Sequence, residues 1–210
     1  MQNSLNIGER VYLTFLMCLS WFAILFQFYL HINIGVATKQ ELFIRFFSYF
    51  TIDSNLLIAL ASLTLVCFRE TKVGKFFNHV SVKTALTVYI LVVGLIYNAV
   101  LRSLLVLEGW SLVLNELLHV VVPLMFLIYW VYFVRNKGNL KWSNVWLWLF
   151  YPLIYCIFVL LRGSYSDFYP YPFLNVSKLG MLQVLLNCVM VTVVFACLSA
   201  LFVAIGKRKR

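Results

Sequence analysis

The sequence predicts an all-α polytopic membrane protein: a single domain over residues 1–210, folded as a bundle of six transmembrane helices with both termini cytoplasmic. Three observations predict it. The 210 residues are 63% hydrophobic and only 11% charged, whereas a soluble domain is about a quarter charged. The apolar residues gather into six runs, and a span needs about 20 such residues. The basic residues concentrate on alternate connections, as they do when lysine and arginine are retained on the cytoplasmic side.

The first run, 11–30, is too long for a signal-peptide core of roughly 7–15 residues, and no small-x-small cleavage site follows it. It reads as the first membrane helix. The second run, 42–68, carries Thr51, Asp53, Ser54 and Asn55. The third, 84–107, carries Asn98 and Arg102, and the fourth, 111–134, carries Asn115, Glu116, His119 and Pro123. The fifth, 145–161, is the shortest and contains Pro152; the sixth, 179–205, has Gln183 and Asn187 on one face, placed to hydrogen-bond between helices. Between the last two lies Tyr169-Pro170-Tyr171-Pro172-Phe173. Its prolines block regular helix, and it reads either as an interfacial turn or as a cap over a site opening outward. Asn175-Val176-Ser177 matches a glycosylation sequon.

Arg10, Arg69, Lys72, Lys75, Lys83, Arg135, Lys137, Lys141 and the tail Lys207, Arg208, Lys209 and Arg210 fall on one side of such a bundle. Lys39, Arg45, Arg102, Arg162 and Lys178 fall on the other. The net charge of +10 is therefore a topology signal with attraction to anionic lipid, and it implies no nucleic-acid partner. The five cysteines lie within or beside apolar runs without CxxC spacing and read as packing residues. His31 and His79 fall in loops. There is no GxSxG elbow, HExxH, P-loop or dinucleotide-binding glycine motif, and no cofactor or metal is implied.

Polar residues inside spans are costly and are functional candidates by default. At about 1.5 Å per residue, Thr51 lies roughly 13 Å below an entry at Leu42, and His119 roughly 12 Å below an entry at Ser111. Asn98 falls near the same level, with Arg102 one turn closer to the outer surface. Asn115, Glu116 and His119 share one helical face; Thr51, Ser54 and Asn55 share another. Asp53 points away from Thr51, placed to pair with Arg102 or another basic residue across a helix interface. Pro123 has no N–H for the carbonyl of His119, so a kink with a free acceptor is expected beside the histidine.

Together Phe50-Thr51…Asp53-Ser54-Asn55, Leu114-Asn115…His119…Pro123 and Tyr169-Pro170-Tyr171-Pro172-Phe173-Leu174 resemble the androgen-induced / androgen-dependent TFPI-regulating protein family, most of all its bacterial six-helix relatives. The resemblance spans nearly the whole chain. It implies six membrane helices in a bacterial inner membrane and an intramembrane threonine and histidine that hydrolyse fatty acid esters of hydroxy fatty acids. Those two residues match Thr51 and His119. The stretch Asp53-Ser54-Asn55 departs from the animal pattern, and that bears on the substrate more than on the fold.

The chemistry that follows is a lipid ester hydrolase with Thr51 as nucleophile and His119 as general base. Glu116 or Asn115 would orient the imidazole, unless Glu116 and Arg102 form only a structural pair, and Asn98 or Asn55 would donate to the oxyanion. Arg102 or Arg162 would hold a lipid carboxylate. The expected partners are membrane lipids, including a lipid ester substrate. The alternatives are a small-molecule or lipid transporter or binding protein without chemistry, since intramembrane polar residues also line pathways, and a structural or regulatory subunit.

Overall fold

Six helical stretches are long and apolar enough to cross a membrane in the computed structural model, which describes residues 5–208. They are Ile7–Ile32, Phe50–Cys67, Val80–Leu104, Gly109–Phe133, Ser143–Ser166 and Met181–Arg208. Among the described residues every regular element is helical. Lys209 and Arg210 of the basic tail lie outside the described residues. The α-helices, in chain order, are α1 (Ile7–Ile32), α2 (Lys39–Phe46), α3 (Phe50–Cys67), α4 (Lys72–Asn78), α5 (Val80–Ile96), α6 (Gly109–Glu116), α7 (Val122–Phe133), α8 (Ser143–Ser166), α9 (Val176–Leu179) and α10 (Met181–Arg208). A π-helical turn, Tyr97–Leu101, extends α5, and a second, Leu117–Val121, joins α6 to α7.

Short polar side chains set the helix starts, because they accept from first-turn amides that have no partner within the helix. Asn6 accepts from the Glu9 amide at 2.7 Å to open α1. Thr38 opens α2 and Thr71 opens α4 in the same way. The two loop histidines are in fact part of helix ends. His31 lies in the last turn of α1, and His79 opens α5, its Nδ1 accepting from the Ser81 amide at 3.3 Å.

All six spans shift from the boundaries expected above, the second and the fifth the most. The second does not begin at Leu42. Leu42 to Phe46 belong to the separate α2, residues 47–49 turn, and the span begins at Phe50. The break is made by hydrogen bonding. The Ser48 hydroxyl donates to the Ile44 carbonyl at 2.7 Å, and the Tyr155 hydroxyl donates to the Ser48 carbonyl at 2.8 Å and accepts from the Phe50 amide at 3.2 Å. One phenol thus satisfies backbone groups on both sides of the turn. The fifth span is longer than 145–161 and runs unbroken through Pro152, since one missing backbone bond is tolerated in a membrane helix. It ends at Asp167, whose φ of 52° is left-handed and whose amide donates to the Gly163 carbonyl at 2.9 Å. Only glycine fits at 163, because a Cβ there would lie 2.0 Å from the Tyr169 ring.

The chain divides into two compact units, residues 5–35 with 51–136 and residues 36–50 with 137–208. In the first, α7 packs against α5 and α1. Lipid tails are as apolar as leucine, so packing and interhelical hydrogen bonds hold such helices together. The Trp130 indole N–H donates to the Thr84 hydroxyl at 2.9 Å, and the Tyr12 hydroxyl donates to the Met125 carbonyl at 2.8 Å. Each bond of this kind contributes about 0.6 kcal/mol. In the second unit α8 packs against α10. The Phe50 ring meets Tyr151, Tyr155 and Phe195 at centroid distances of 5.2, 5.0 and 5.6 Å. Gln183 and Asn187 bond each other within α10 at 3.1 Å, and Asn187 donates to the Phe173 carbonyl at 2.8 Å, so together they tie the helix to the proline-rich segment. Asn175, the sequon asparagine, accepts from the Lys178 amide at 3.0 Å and caps α9. Cys156 and Cys188, read as separate packing residues, bring their sulfurs to 3.2 Å as free thiols.

Candidate functional site

The site lies in the first unit, where α3 meets the π-helical turn of the fourth span. Thr51 is in the first turn of α3. It is therefore not many residues inside its span, and the depth counted from Leu42 does not hold. His119 sits in the turn Leu117–Val121, ten residues after Gly109 and roughly 15 Å along the stretch. Thr51 Oγ1 nevertheless lies 3.2 Å from His119 Nε2, within hydrogen-bond reach for a nucleophile and its base.

The tautomer follows from the partners. His119 Nδ1 lies 2.9 Å from the Asn115 carbonyl. A carbonyl only accepts, so Nδ1 carries the proton and Nε2 presents a lone pair to the Thr51 hydroxyl. The orienting group is thus the backbone of Asn115, and neither the Asn115 side chain nor Glu116 orients the ring. Glu116 instead pairs with Arg102. The Tyr97 ring, itself buried, stacks on the imidazole at a centroid distance of 4.2 Å and an interplanar angle of 26°. The Arg102 guanidinium lies 5.6 Å from the Tyr97 ring centroid.

The π-turn explains why Asn55 belongs to the site. The Val122 amide bonds the Leu117 carbonyl, and Pro123 has no N–H. The Leu118 carbonyl therefore loses both of the amides that would reach it along the helix. Asn55 Nδ2 fills that gap at 3.1 Å and donates its other hydrogen to the Thr51 carbonyl at 2.8 Å. One amide thus ties the backbone of Thr51 to the backbone just before His119. With both hydrogens used, it has none for an oxyanion. The acceptor expected at the His119 carbonyl faces Gly94, where an added Cβ would lie 3.0 Å from that oxygen. Glycine lets the two helices approach this closely.

Asn98 is tied within its own helix. Its amide donates to the Gly94 carbonyl at 2.8 Å, its carbonyl accepts from Arg102 at 2.9 Å, and it is exposed. Asn115 Nδ2 is buried without a hydrogen-bond partner, as are Ser54 Oγ and Asn55 Oδ1. Asp53 forms no ion pair among the described residues, and Arg102 pairs with Glu116. Arg162 belongs to the second unit, where it donates to Glu41 at 2.8 Å. No three His, Cys, Asp or Glu side chains gather at metal-binding spacing among the described residues.

Tyr97, Gly94 and the backbone roles of Asn115 and Leu118 escape a reading of the sequence. An isolated glycine inside an apolar helix does signal a close packing contact, and Gly94 carries that signal. Nothing marks Tyr97 beyond its place beside Asn98. Comparison with protein-family models, with curated proteins and with solved structures finds no match to this chain.

Proposed function

We propose that this protein is an intramembrane ester hydrolase in which Thr51 is the nucleophile and His119 the general base, acting on a lipid ester. The observation that carries this reading is the 3.2 Å approach of Thr51 Oγ1 to His119 Nε2, with Nδ1 held by the Asn115 carbonyl. That is the nucleophile–base–orienter arrangement of acyl transfer. Thr51 Oγ1 attacks the ester carbonyl carbon as its proton passes to His119 Nε2. The tetrahedral oxyanion then collapses, the ester C–O bond breaks, and His119 returns the proton to the departing alkoxide. Water, deprotonated by the same nitrogen, cleaves the acyl-threonine and restores the hydroxyl. Asn115 Nδ2, buried and without a partner, is the donor we assign to the oxyanion. Stacking by Tyr97 fixes the plane of the imidazole.

The family resemblance supports a fatty acyl ester as the substrate class and a bacterial inner membrane as the location. The distribution of lysine and arginine supports cytoplasmic termini. A fluorophosphonate probe on the purified protein tests the chemistry. Labelling is expected in the wild type and lost in both Thr51→Ala and His119→Ala; labelling that persists in both variants sinks the proposal. A non-enzymatic transporter instead requires proteoliposome uptake that survives Thr51→Ala.

A further inference from the structure

A second polar cluster, in the second unit, has more positive charge than its own carboxylate can match. Glu41 Oε1 accepts from Arg45 Nε and from Arg162 Nη2, both at 2.8 Å. Two guanidiniums therefore share one carboxylate oxygen and leave a surplus positive charge. The nearest further carboxylate by sequence, Asp167, bonds the Ser177 hydroxyl instead. Arg162 Nη1 is buried with no hydrogen-bond partner, on a side chain only 11% exposed. An unsatisfied buried donor is costly, more so when charged, and a closed structural ion cluster has no reason to keep one.

The guanidiniums are also held in place. Arg45 Cζ lies 4.5 Å and Arg162 Cζ 4.9 Å from the centroid of Phe168, and Tyr49 meets that ring edge-on at 6.2 Å. Guanidinium planes fixed on an aromatic face lose little further entropy when their remaining N–H groups bind an oxyanion. The height fits as well. Arg162 is one turn from the end of Ser143–Ser166, and Glu41 and Arg45 lie between Ile32 and Phe50, outside both flanking spans. That is the level of lipid headgroups, and Tyr49 and Tyr171 supply the aromatic residues typical of that zone.

We propose that Arg45 and Arg162 form a phosphate-binding clamp for the headgroup of a membrane phospholipid. Glu41 is its internal counter-charge and Phe168 its platform. The phosphate oxygens accept from Arg162 Nη1 and from the terminal nitrogens of Arg45, the fork geometry for which arginine is suited. No bond is made or broken. The inference does not rest on the Thr51 chemistry.

The full-length protein in nonionic detergent tests it by thermal unfolding and native mass spectrometry, titrated separately with phosphatidylglycerol, with diacylglycerol of the same chains and with inorganic phosphate. Phosphatidylglycerol is expected to raise the unfolding midpoint saturably and to remain bound as one lipid per chain, whereas diacylglycerol does neither. Arg45→Gln and Arg162→Lys are each expected to weaken retention about tenfold, and Lys178→Gln, a surface change in the same unit, to leave it intact. Arg45→Gln alters a partly exposed side chain, so it remains informative if the Arg162 variant does not fold. Stabilisation by inorganic phosphate at the same concentration identifies the ligand as the free ion, with the same clamp chemistry. Equal shifts from diacylglycerol and phosphatidylglycerol, or undiminished retention in both arginine variants, overturn the proposal.

Discussion

Replacing Asn55 by alanine tests the site without touching either reacting atom. The substitution removes two hydrogen bonds, to the Thr51 carbonyl at 2.8 Å and to the Leu118 carbonyl at 3.1 Å, each contributing about 1 kcal/mol. The Leu118 carbonyl then has no partner, because Val122 is committed to Leu117 and position 123 is proline. A stranded buried acceptor costs about 1–3 kcal/mol. Against this, Asn55 Oδ1 is already unpartnered, and alanine removes that penalty. The net destabilisation is therefore about 2 kcal/mol, which the thermal midpoint reads separately from the effect expected on geometry. With the tie gone, a drift of 1 Å between Thr51 and His119 costs about a hundredfold in rate. The assay is the rate of fluorophosphonate labelling on purified protein, with the thermal midpoint measured on the same sample. Asn55→Asp is expected to be at least as slow, since it sets a carboxyl oxygen against two carbonyl oxygens. Ser54→Ala, which deletes a buried hydroxyl without a partner, is expected to label normally. Asn55→Ala labelling within twofold of wild type refutes the tie.

Gly94→Ala places a methyl 3.0 Å from the His119 carbonyl; labelling is expected to slow about tenfold, and Gly94→Val, with a bulkier side chain, to abolish it. Cys156 and Cys188, with sulfurs 3.2 Å apart, are expected to give an intramolecular disulfide with diamide. Each thiol gives up one proton and one electron to the reagent, and the link is read as loss of two maleimide-reactive thiols in the wild type but not in Cys156→Ser. The Glu41 carboxyl is held below its usual range, first by its hydrogen bond from Arg45 and then by Arg162, against desolvation that raises it. A depressed folded-state pKa contributes stability above the unfolded value, about 4.3, that is lost as pH falls through the folded value. Glu41→Gln is therefore expected to flatten the loss of thermal midpoint below about pH 4 and to leave its slope between pH 6 and 8 unchanged.

What the sequence makes legible is what the bilayer enforces. Six apolar runs become six long helices because an unpaired backbone amide in hydrocarbon costs several kcal/mol, and helix is the local solution. The boundaries at 50 and 166 are less legible, because distant side chains set them. The turn at 47–49 contains no glycine or proline and depends on the hydroxyl of Tyr155, more than a hundred residues away. The end of the fifth span depends on a left-handed Asp167 and on the fit of Tyr169 against Gly163. Neither can be read from hydropathy.

The candidate site shows a sharper version of the same limit. Thr51 and His119 stand out because each is a polar group in an apolar run, but the depth count that linked them started from the wrong residue. A uniform rise of 1.5 Å per residue assumes an unbroken α-helix, and here the helix is broken at 47–49 and widened at Tyr97–Leu101 and Leu117–Val121. The π-turns are the point at which linear reasoning fails, and they are also what builds the site. Each shifts the register of its helix and frees backbone carbonyls that must be satisfied from elsewhere. The freed Leu118 carbonyl recruits Asn55; the Asn115 carbonyl accepts from the imidazole Nδ1–H; the His119 carbonyl is pressed against Gly94. Pro123 is the sequence mark of this arrangement, since it removes the amide that an ordinary helix would use there. Its effect falls on the carbonyl one residue earlier than a simple kink implies, at Leu118 as well as at His119. Restoring the missing donor with Pro123→Ala should let the turn relax toward regular helix and separate the imidazole from Thr51, with labelling reduced even as the helix itself becomes more stable. An unchanged labelling rate in Pro123→Ala would mean that Asn55 and the packing against Gly94 hold the turn without the proline.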